Sequence, residues 1–391
     1  MSHRLKGNLW KLFIAEVTQR EYYFPVLAIY FLTLPDANAQ QIGLWAGIGY
    51  LAEFLFEIPS GYISDRIGHK KMLVAAKLFM VLGVLSFIHG GSLIYFILGA
   101  IFTSFSFAAR SGTKTAFLHE TLVSLKREKT FVKINTKIAA YTALTSAVLM
   151  VTIPLSAEIS IRMPLFIGLV LDLIGLLAVV LLTNPAIVEK IAPKKSILRV
   201  LNELRGSGYF PIIIFTSVIS GFGIAKMNYV FPYVETLGFP IKWLGVIVGF
   251  RLLAQFLVAN NLGRFEHRIN VKKIFLFDIF IFTLVFVLIA ALNDFYLIVL
   301  ILIIIGGYQV GRRAFVEGYL TKNYIPDKRY IATVLSFKEQ SSMIVTSLTV
   351  FGIGYVMNYS YKAGFYTMGV VLFLILFSVF MFVENKKVVK Q

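Results

Sequence analysis

Charged side chains stand inside long apolar stretches of this sequence. An ionisable group in such surroundings is energetically costly, so it usually faces a cavity or a partner of opposite charge. A carboxylate placed there can bind and release a proton, and an arginine beside it stays charged and can hold it as an anion until the proton arrives. Four residues are therefore candidates for proton exchange: Glu16, Glu21, Glu53 and Arg110.

A second set of polar residues in the apolar stretches could bind a small organic molecule. Arginine recognises a carboxylate or a phosphate through two parallel hydrogen bonds, and an aromatic ring can stack on a cation or on another ring. The candidates for this cavity are Arg20, Tyr23, Asp172, Lys226, Arg251, Arg312 and Glu339.

Helical spacing predicts which charges pair with each other. Residues four apart share a helix face, so we expect Glu16 to reach Arg20 and Arg313 to reach Glu317. Two acids with that spacing, Glu53 and Glu57, would instead repel each other unless one of them takes up a proton.

Composition and motifs exclude several kinds of chemistry. The chain has no cysteine, so it has no disulfide, thiolate metal site or cysteine nucleophile. It also lacks the phosphate-cradling, zinc-helix and dinucleotide-binding runs, and we expect no metal, no cofactor and no enzymatic activity. None of the five histidines is well placed for proton exchange, and His69 is expected in a loop. Four lysines are left out of the candidate site: Lys11, Lys77, Lys133 and Lys137.

The elements that must position these residues are long apolar helices. Apolar residues make up 58% of the chain and the mean hydropathy is +0.79, and a helix needs about 20 apolar residues to cross a bilayer. The sequence therefore predicts an all-α membrane protein with twelve transmembrane helices. The predicted spans are 9–33, 41–63, 72–90, 93–120, 131–157, 163–183, 210–234, 241–263, 271–291, 295–320, 330–357 and 361–383.

The lysines and arginines between the spans predict the orientation of the chain. Nearly all of them fall in the loops of one side, and positively charged loops stay in the cytoplasm. We therefore expect a multi-pass protein of the plasma (inner) membrane with both termini in the cytoplasm. The net charge of +18 then lies near anionic lipid headgroups, which argues against nucleic-acid binding.

A repeated motif relates the two halves of the chain. Gly61-Tyr-Ile-Ser-Asp65-Arg66-Ile-Gly68-His-Lys70-Lys71 follows the second span, and a similar run follows the eighth. The matching positions of the second run include Gly263, Glu266 and Arg268.

The first run resembles the signature Gly-x-Leu-x-Asp-Arg-x-Gly-Arg-Lys of the major facilitator superfamily (MFS), and the likeness covers the whole chain as six plus six helices. It implies two pseudo-symmetric six-helix bundles, at 1–183 and 210–391, joined by a cytoplasmic linker at 184–209. It also implies alternating access, with Asp65 at the positive end of a helix as part of a cytoplasmic latch. Arg110 is similar in position to an arginine of proton-coupled members.

The resemblance predicts a secondary transporter, and we expect proton-coupled efflux of an amphiphilic drug or metabolite. Aromatic residues of the first and seventh spans favour that cargo, although the fifth span lacks the Gly-Pro-rich motif of drug/proton antiporters. The basic residues inside the spans favour an anionic organic metabolite as the alternative. A receptor-like or scaffold protein that no longer transports is a further alternative. The expected partners are a small-molecule substrate, protons and the lipid bilayer, with the protein a monomer. The aromatic residues are Tyr22, Tyr23, Phe24, Tyr229, Phe231 and Tyr233.

Overall fold

The computed structural model describes residues 2–185, 209–261, 271–323 and 331–385. Within these ranges the secondary structure is helical, without strands. The first eight α-helices are α1 (Ser2–Lys6), α2 (Asn8–Val17), α3 (Phe24–Leu32), α4 (Ala39–Ile67), α5 (His69–His89), α6 (Leu93–Ser124), α7 (Phe131–Leu155) and α8 (Met163–Val180). The other six are α9 (Tyr209–Thr236), α10 (Leu244–Asn261), α11 (Val271–Ala291), α12 (Phe295–Asn323), α13 (Ile331–Tyr359) and α14 (Tyr361–Asn385).

In the ranges that the structure describes, each predicted span overlaps with helical structure. In the part of the chain that the structure describes, ten helices are long and apolar enough to cross a membrane. The predicted first span is divided between α2 and α3, and the eighth corresponds to α10. The second-half motif residues Gly263, Glu266 and Arg268 lie outside the described residues, as does most of the predicted linker.

The break between α2 and α3 has a local cause. Pro25 stands in the first turn of α3, where its lack of an N–H group prevents the helical hydrogen bond to residue 21. At the end of α2 the hydroxyl of Thr18 donates to the carbonyls of Ile14 and Ala15. The residues between the two helices, 18–23, are thus not held in a regular helix, and Glu21 is among them.

The chain divides into two compact units. The first comprises residues 1–37, 48–191 and 240–249, and the second comprises 38–47, 192–239 and 250–391. The boundaries predicted from the sequence, 1–183 and 210–391, stay a prediction.

Each unit has its own apolar core. In the first unit, Leu12, Leu73, Phe117 and Leu122 are almost fully buried and pack together. In the second unit α9 is buried along most of its length, and its Phe215 stacks on Phe275 of α11 with ring centroids 4.4 Å apart.

Other apolar side chains point away from these cores. Val170, Leu173 and Leu177 of α8 are about half exposed. Such faces suit contact with lipid chains, since lipid rather than water surrounds a helix of this kind.

Candidate functional site

Glu16 lies in a three-residue ion cluster of the first unit. Its Oε1 accepts a hydrogen bond from Arg110 Nη1 at 2.7 Å, and its Oε2 accepts one from Lys114 Nζ at 3.0 Å. The predicted pair with Arg20 is wrong, because α2 ends at Val17 and helical spacing no longer applies beyond that residue. Arg20 is exposed.

A second cluster in the same unit holds two acids and one base. Asp172 of α8 and Lys77 of α5 are paired at 3.0 Å, with side-chain exposures of only 4% and 2%. Glu21 interacts electrostatically with Asp172 and is hydrogen-bonded by Thr103, and Tyr23 donates its hydroxyl to Glu21 Oε1 at 3.4 Å. As a whole residue Glu21 is partly buried, whereas the side chain of Asp172 is almost completely buried.

Lys77 and Gly175 are part of this cluster, although neither is among the residues predicted for the site. A Cβ at Gly175 would lie 2.7 Å from Lys77 Cε and 2.1 Å from Thr18 Oγ1, so the glycine leaves room for Lys77 to lie directly against α8. The position of Lys77 within its predicted helix is the sequence feature that could have identified it. Lys77 lies about 12 Å from the first residue of α5 at 1.5 Å per residue, which is too deep for its amine to reach the membrane surface.

The motif at residues 61–71 forms the end of α4, a one-residue turn and the start of α5. Gly68 makes the turn with φ +95°, a conformation that side chains with a Cβ rarely adopt. Asp65, Arg66 and Lys71 are exposed and Lys70 is partly buried. Arg66 lies 4.4 Å from the ring of Tyr62.

A buried polar network fixes the same turn. Contrary to its expected place in a loop, His69 is the first residue of α5 and is only 8% exposed. Its Nδ1 lies 2.9 Å from Ser64 Oγ, which accepts a hydrogen bond from Thr113, and its Nε2 lies 3.2 Å from Glu120. The motif is thereby attached to α6 within the first unit.

Glu53 and Glu57 are both partly buried on α4. Glu57 is hydrogen-bonded by Ser111 of α6, and Glu53 also interacts with neighbouring residues.

In the second unit, most buried cations are paired. Asp278 is completely buried between Arg312, whose Nε lies 2.5 Å from Oδ2, and Tyr308, whose hydroxyl donates to Oδ1 at 2.6 Å. The predicted pairing of Arg313 with Glu317 is confirmed at 2.9 Å.

The same part of the unit continues into a four-residue network. Glu339 accepts from Arg313 at 2.9 Å and lies 3.1 Å from Lys338, which also pairs with Glu317. The candidates Arg312 and Glu339 are thus both held in ion pairs, the first one buried and the second one partly exposed.

Lys226 and Arg251 differ from these cations. Lys226 of α9 is 4% exposed, and its Nζ lies 5.9 Å from the centre of the Phe286 ring. Arg251 of α10 directs Nη1 to the sulfur of Met227 at 3.2 Å. The two cations repel each other electrostatically, and none of the described carboxylates pairs with either one.

The aromatic residues that favoured an amphiphilic cargo are mostly buried. Tyr22, Tyr23, Tyr229, Phe231 and Tyr233 are at most 3% exposed. Their described contacts are internal, as in the hydrogen bond that Tyr229 donates to the carbonyl of Val350 at 2.8 Å. These rings are therefore packed into the protein rather than presented to a ligand.

Comparison with known proteins places the fold in a family. The family model of the Major Facilitator Superfamily matches residues 12–311. The chain belongs to the Major Facilitator Superfamily. The predicted MFS fold is confirmed, and the matching family is one of transporters rather than of enzymes.

Two relatives share local sequence similarity with this MFS chain. It is 31% identical over 131 residues to the inner membrane transport protein YajR of Escherichia coli (strain K12), a match covering 34% of this chain and 28% of YajR. It is 29% identical over 134 residues to an uncharacterized transporter of Buchnera aphidicola subsp. Schizaphis graminum (strain Sg), covering 34% of this chain and 33% of the relative. The matches thus span about a third of these relatives or less.

Solved MFS structures resemble almost the whole chain. A mutant of the nucleoside transporter NupG superposes with a TM-score of 0.80 at 15% identity, over 97% of this chain and 99% of NupG. The POT family transporter PepTSo gives a TM-score of 0.76 at 10% identity, over 98% and 99% of the two chains. At these identities the likeness shows the fold alone.

Proposed function

We propose that this MFS protein is a secondary transporter that moves a small organic molecule by alternating access and couples that movement to protons. Glu21 is the residue that binds the proton. The observation that supports this assignment is the unequal pairing of two neighbouring carboxylates, because Asp172 forms an ion pair with Lys77 and no described cation pairs with Glu21.

The partners of Glu21 differ in kind from those of Asp172. Asp172 is held by Lys77 at 3.0 Å, whereas Tyr23 and Thr103 offer Glu21 only neutral hydrogen-bonding groups. A carboxylate next to another carboxylate, without a cation of its own, is neutralised most directly by a proton. Because Glu21 lies in the break between α2 and α3, its position can also change when the two helices move.

The other candidates for proton exchange are less suited to this role. Two cations already neutralise Glu16, and Arg110 serves as one of them. Removing Glu16 would leave the positive charges of Arg110 and Lys114 next to each other without a negative partner. We therefore assign to this cluster the structural role of holding α2 against α6. A contribution from Glu53 stays a prediction.

A pH-jump experiment tests the proton site without a known substrate. Full-length protein in proteoliposomes is adsorbed on a solid-supported membrane, and the transient current after a pH step reports proton binding. We expect Glu21→Gln to lose most of this current, while Glu158→Gln, which alters the exposed pair with Lys242, retains it. A wild-type current in Glu21→Gln, or its loss in Asp172→Asn alone, would transfer the role to another residue.

The cargo and its direction of movement are separate questions. Efflux is the direction that the sequence favours, and it stays a prediction. The buried aromatic residues give little support to an amphiphilic cargo, whereas Lys226 and Arg251 support the anionic alternative. By analogy with YajR, named as an inner membrane transport protein, we place the chain in the inner (plasma) membrane, with both termini cytoplasmic.

A further inference from the structure

Lys226 is too deep in its helix to reach either end of it. It lies about 26 Å from Tyr209 and about 15 Å from Thr236, the two ends of α9, at 1.5 Å per residue. A lysine can extend to the membrane surface only from near a helix end. The charge of Lys226 must therefore be met inside the protein.

The other buried cations that the structure describes have carboxylate partners. Lys77 pairs with Asp172, Arg312 with Asp278, and Lys338 with Glu317. This pattern follows from the high cost of an uncompensated buried charge. Lys226, which is only 4% exposed, and its neighbour Arg251 have no described carboxylate partner.

The surroundings of Arg251 leave much of its guanidinium available. Its described hydrogen bond is to the sulfur of Met227, which is a weak acceptor. A Cβ on Gly306 of α12 would lie 2.3 Å from Arg251 Cγ and 2.8 Å from its Cδ. Gly306 therefore allows the arginine stem to lie directly against α12, which fixes where the guanidinium projects.

Uncharged groups complete the surroundings of the two cations. Phe286 and Met227 provide apolar surface. Gln309 of α12 packs over Gly223, one turn before Lys226, with its Nε2 2.8 Å from the Cβ position of that glycine. The combination of two cations, an amide and apolar side chains matches an organic molecule with one acidic group.

We propose that Lys226 and Arg251 form the binding site for an organic anion, whose carboxylate or phosphate supplies the missing negative charge. Arg251 binds two oxygens of that group through parallel N–H donors, and Lys226 binds it as a point charge. The inference rests on the proposed function, since it names the class of molecule that the transporter carries. It does not depend on which residue binds the proton.

Ligand-dependent thermal stability of the purified full-length protein in detergent tests the site. The probes are succinate, glycerol 3-phosphate and the lipophilic cation tetraphenylphosphonium, since a bound ligand raises the unfolding temperature by mass action. We expect at least one of the two anions, and not the cation, to stabilise the wild-type protein. The comparison of succinate with glycerol 3-phosphate distinguishes a carboxylate from a phosphate ligand.

Variants assign the effect to the two cations. Lys226→Gln and Arg251→Gln should weaken anion binding by at least about tenfold, and Arg251→Lys should also weaken it because the two-point contact is lost. The control is Lys322→Gln, an exposed lysine on α12, which should bind as the wild type does. The proposal would be overturned if the anion stabilised Lys226→Gln as much as the wild type, or if only the cation stabilised the wild-type protein.

A measurement without ligand separates this site from a structural ion pair. If an anion from solution is the partner of Lys226, then Lys226→Met removes an uncompensated buried charge and should raise the unfolding temperature of the ligand-free protein. A lowered unfolding temperature would show that the protein itself supplies the partner, and would contradict the proposal. The binding assay uses one fixed pH and no gradient, and the pH-jump experiment uses no anion, so each can fail without the other.

Discussion

At the residue scale, the positions of the ionisable groups are less informative than their partners. Lys77 and Asp172 are 95 residues apart in sequence and form one of the most deeply buried ion pairs of the described chain. The same acid lies near Glu21, so a structural pair and a proposed proton site share one cluster. The partner of a buried ionisable group therefore determines whether that group stabilises the fold or can exchange a proton.

Breaking the Lys77–Asp172 pair tests its structural role. We expect Lys77→Met alone to cost about 3–5 kcal/mol, because it leaves a buried carboxylate uncompensated. The double variant Lys77→Met/Asp172→Leu should recover most of that loss, since apolar residues replace both charges. Thermal or denaturant unfolding in detergent measures both values.

The exposed pair of Lys242 with Glu158 is the matched control. Its side chains are 33% and 66% exposed, and Lys242→Gln should change stability by about 0–1 kcal/mol. If Lys77→Met costs no more than this control, the buried pair does not contribute to stability.

At the element scale, glycines determine how closely helices α5 and α6 pack. A Cβ on Gly99 of α6 would lie 2.5 Å from Phe87 Cε1 of α5. Phe87 is 1% exposed and packs against the rings of Tyr23 and Phe96, so it has little room to move. This contact positions α6, which carries Thr103 and Arg110.

Two alanine substitutions on α6 distinguish close packing from helix propensity. Gly99→Ala should destabilise the protein by about 1–3 kcal/mol, because the added methyl overpacks the contact with Phe87. Gly112→Ala meets no atom within 4 Å and should be neutral or stabilising by up to about 1 kcal/mol, since alanine favours a helix. Equal unfolding temperatures for the two variants would contradict the assignment of Gly99 to close packing.

At the scale of the whole molecule, charge and hydropathy determine how the chain enters the membrane. The net charge of +18 is concentrated in loops that the sequence assigns to one side. Because positively charged loops resist translocation, this distribution predicts the orientation of all spans together.

The absence of cysteine from the natural sequence allows a direct test of that orientation. Lys129→Cys, in the exposed segment before α7, should react with a membrane-impermeant maleimide only after cells are opened. Ser160→Cys, in the exposed segment after α7, should react in intact cells. The reverse pattern would invert the predicted topology, and the unsubstituted chain provides the unlabelled control.

The sequence by itself determined the helical membrane fold, the spans, the family and many candidate residues. These properties depend on local composition: a run of apolar residues predicts a span wherever it packs, and the motif at 61–71 is contiguous. It also located Glu16, Arg110, Lys226 and Arg251 as charges inside spans. The i,i+4 rule predicted Arg313 with Glu317 correctly, because both residues lie on the unbroken helix α12.

Only the tertiary structure decided which charges that are distant in sequence meet. The partners of Glu16 are Arg110 and Lys114 instead of Arg20. Lys77 reaches Asp172 in the space beside Gly175. Lys226 and Arg251 have no described carboxylate as a partner. These outcomes depend on helices that are distant in sequence and on side-chain directions that periodicity does not specify. The physical reason is that a buried charge is stabilised by whatever group lies within a few ångströms in space, and that group need not be near it in the chain.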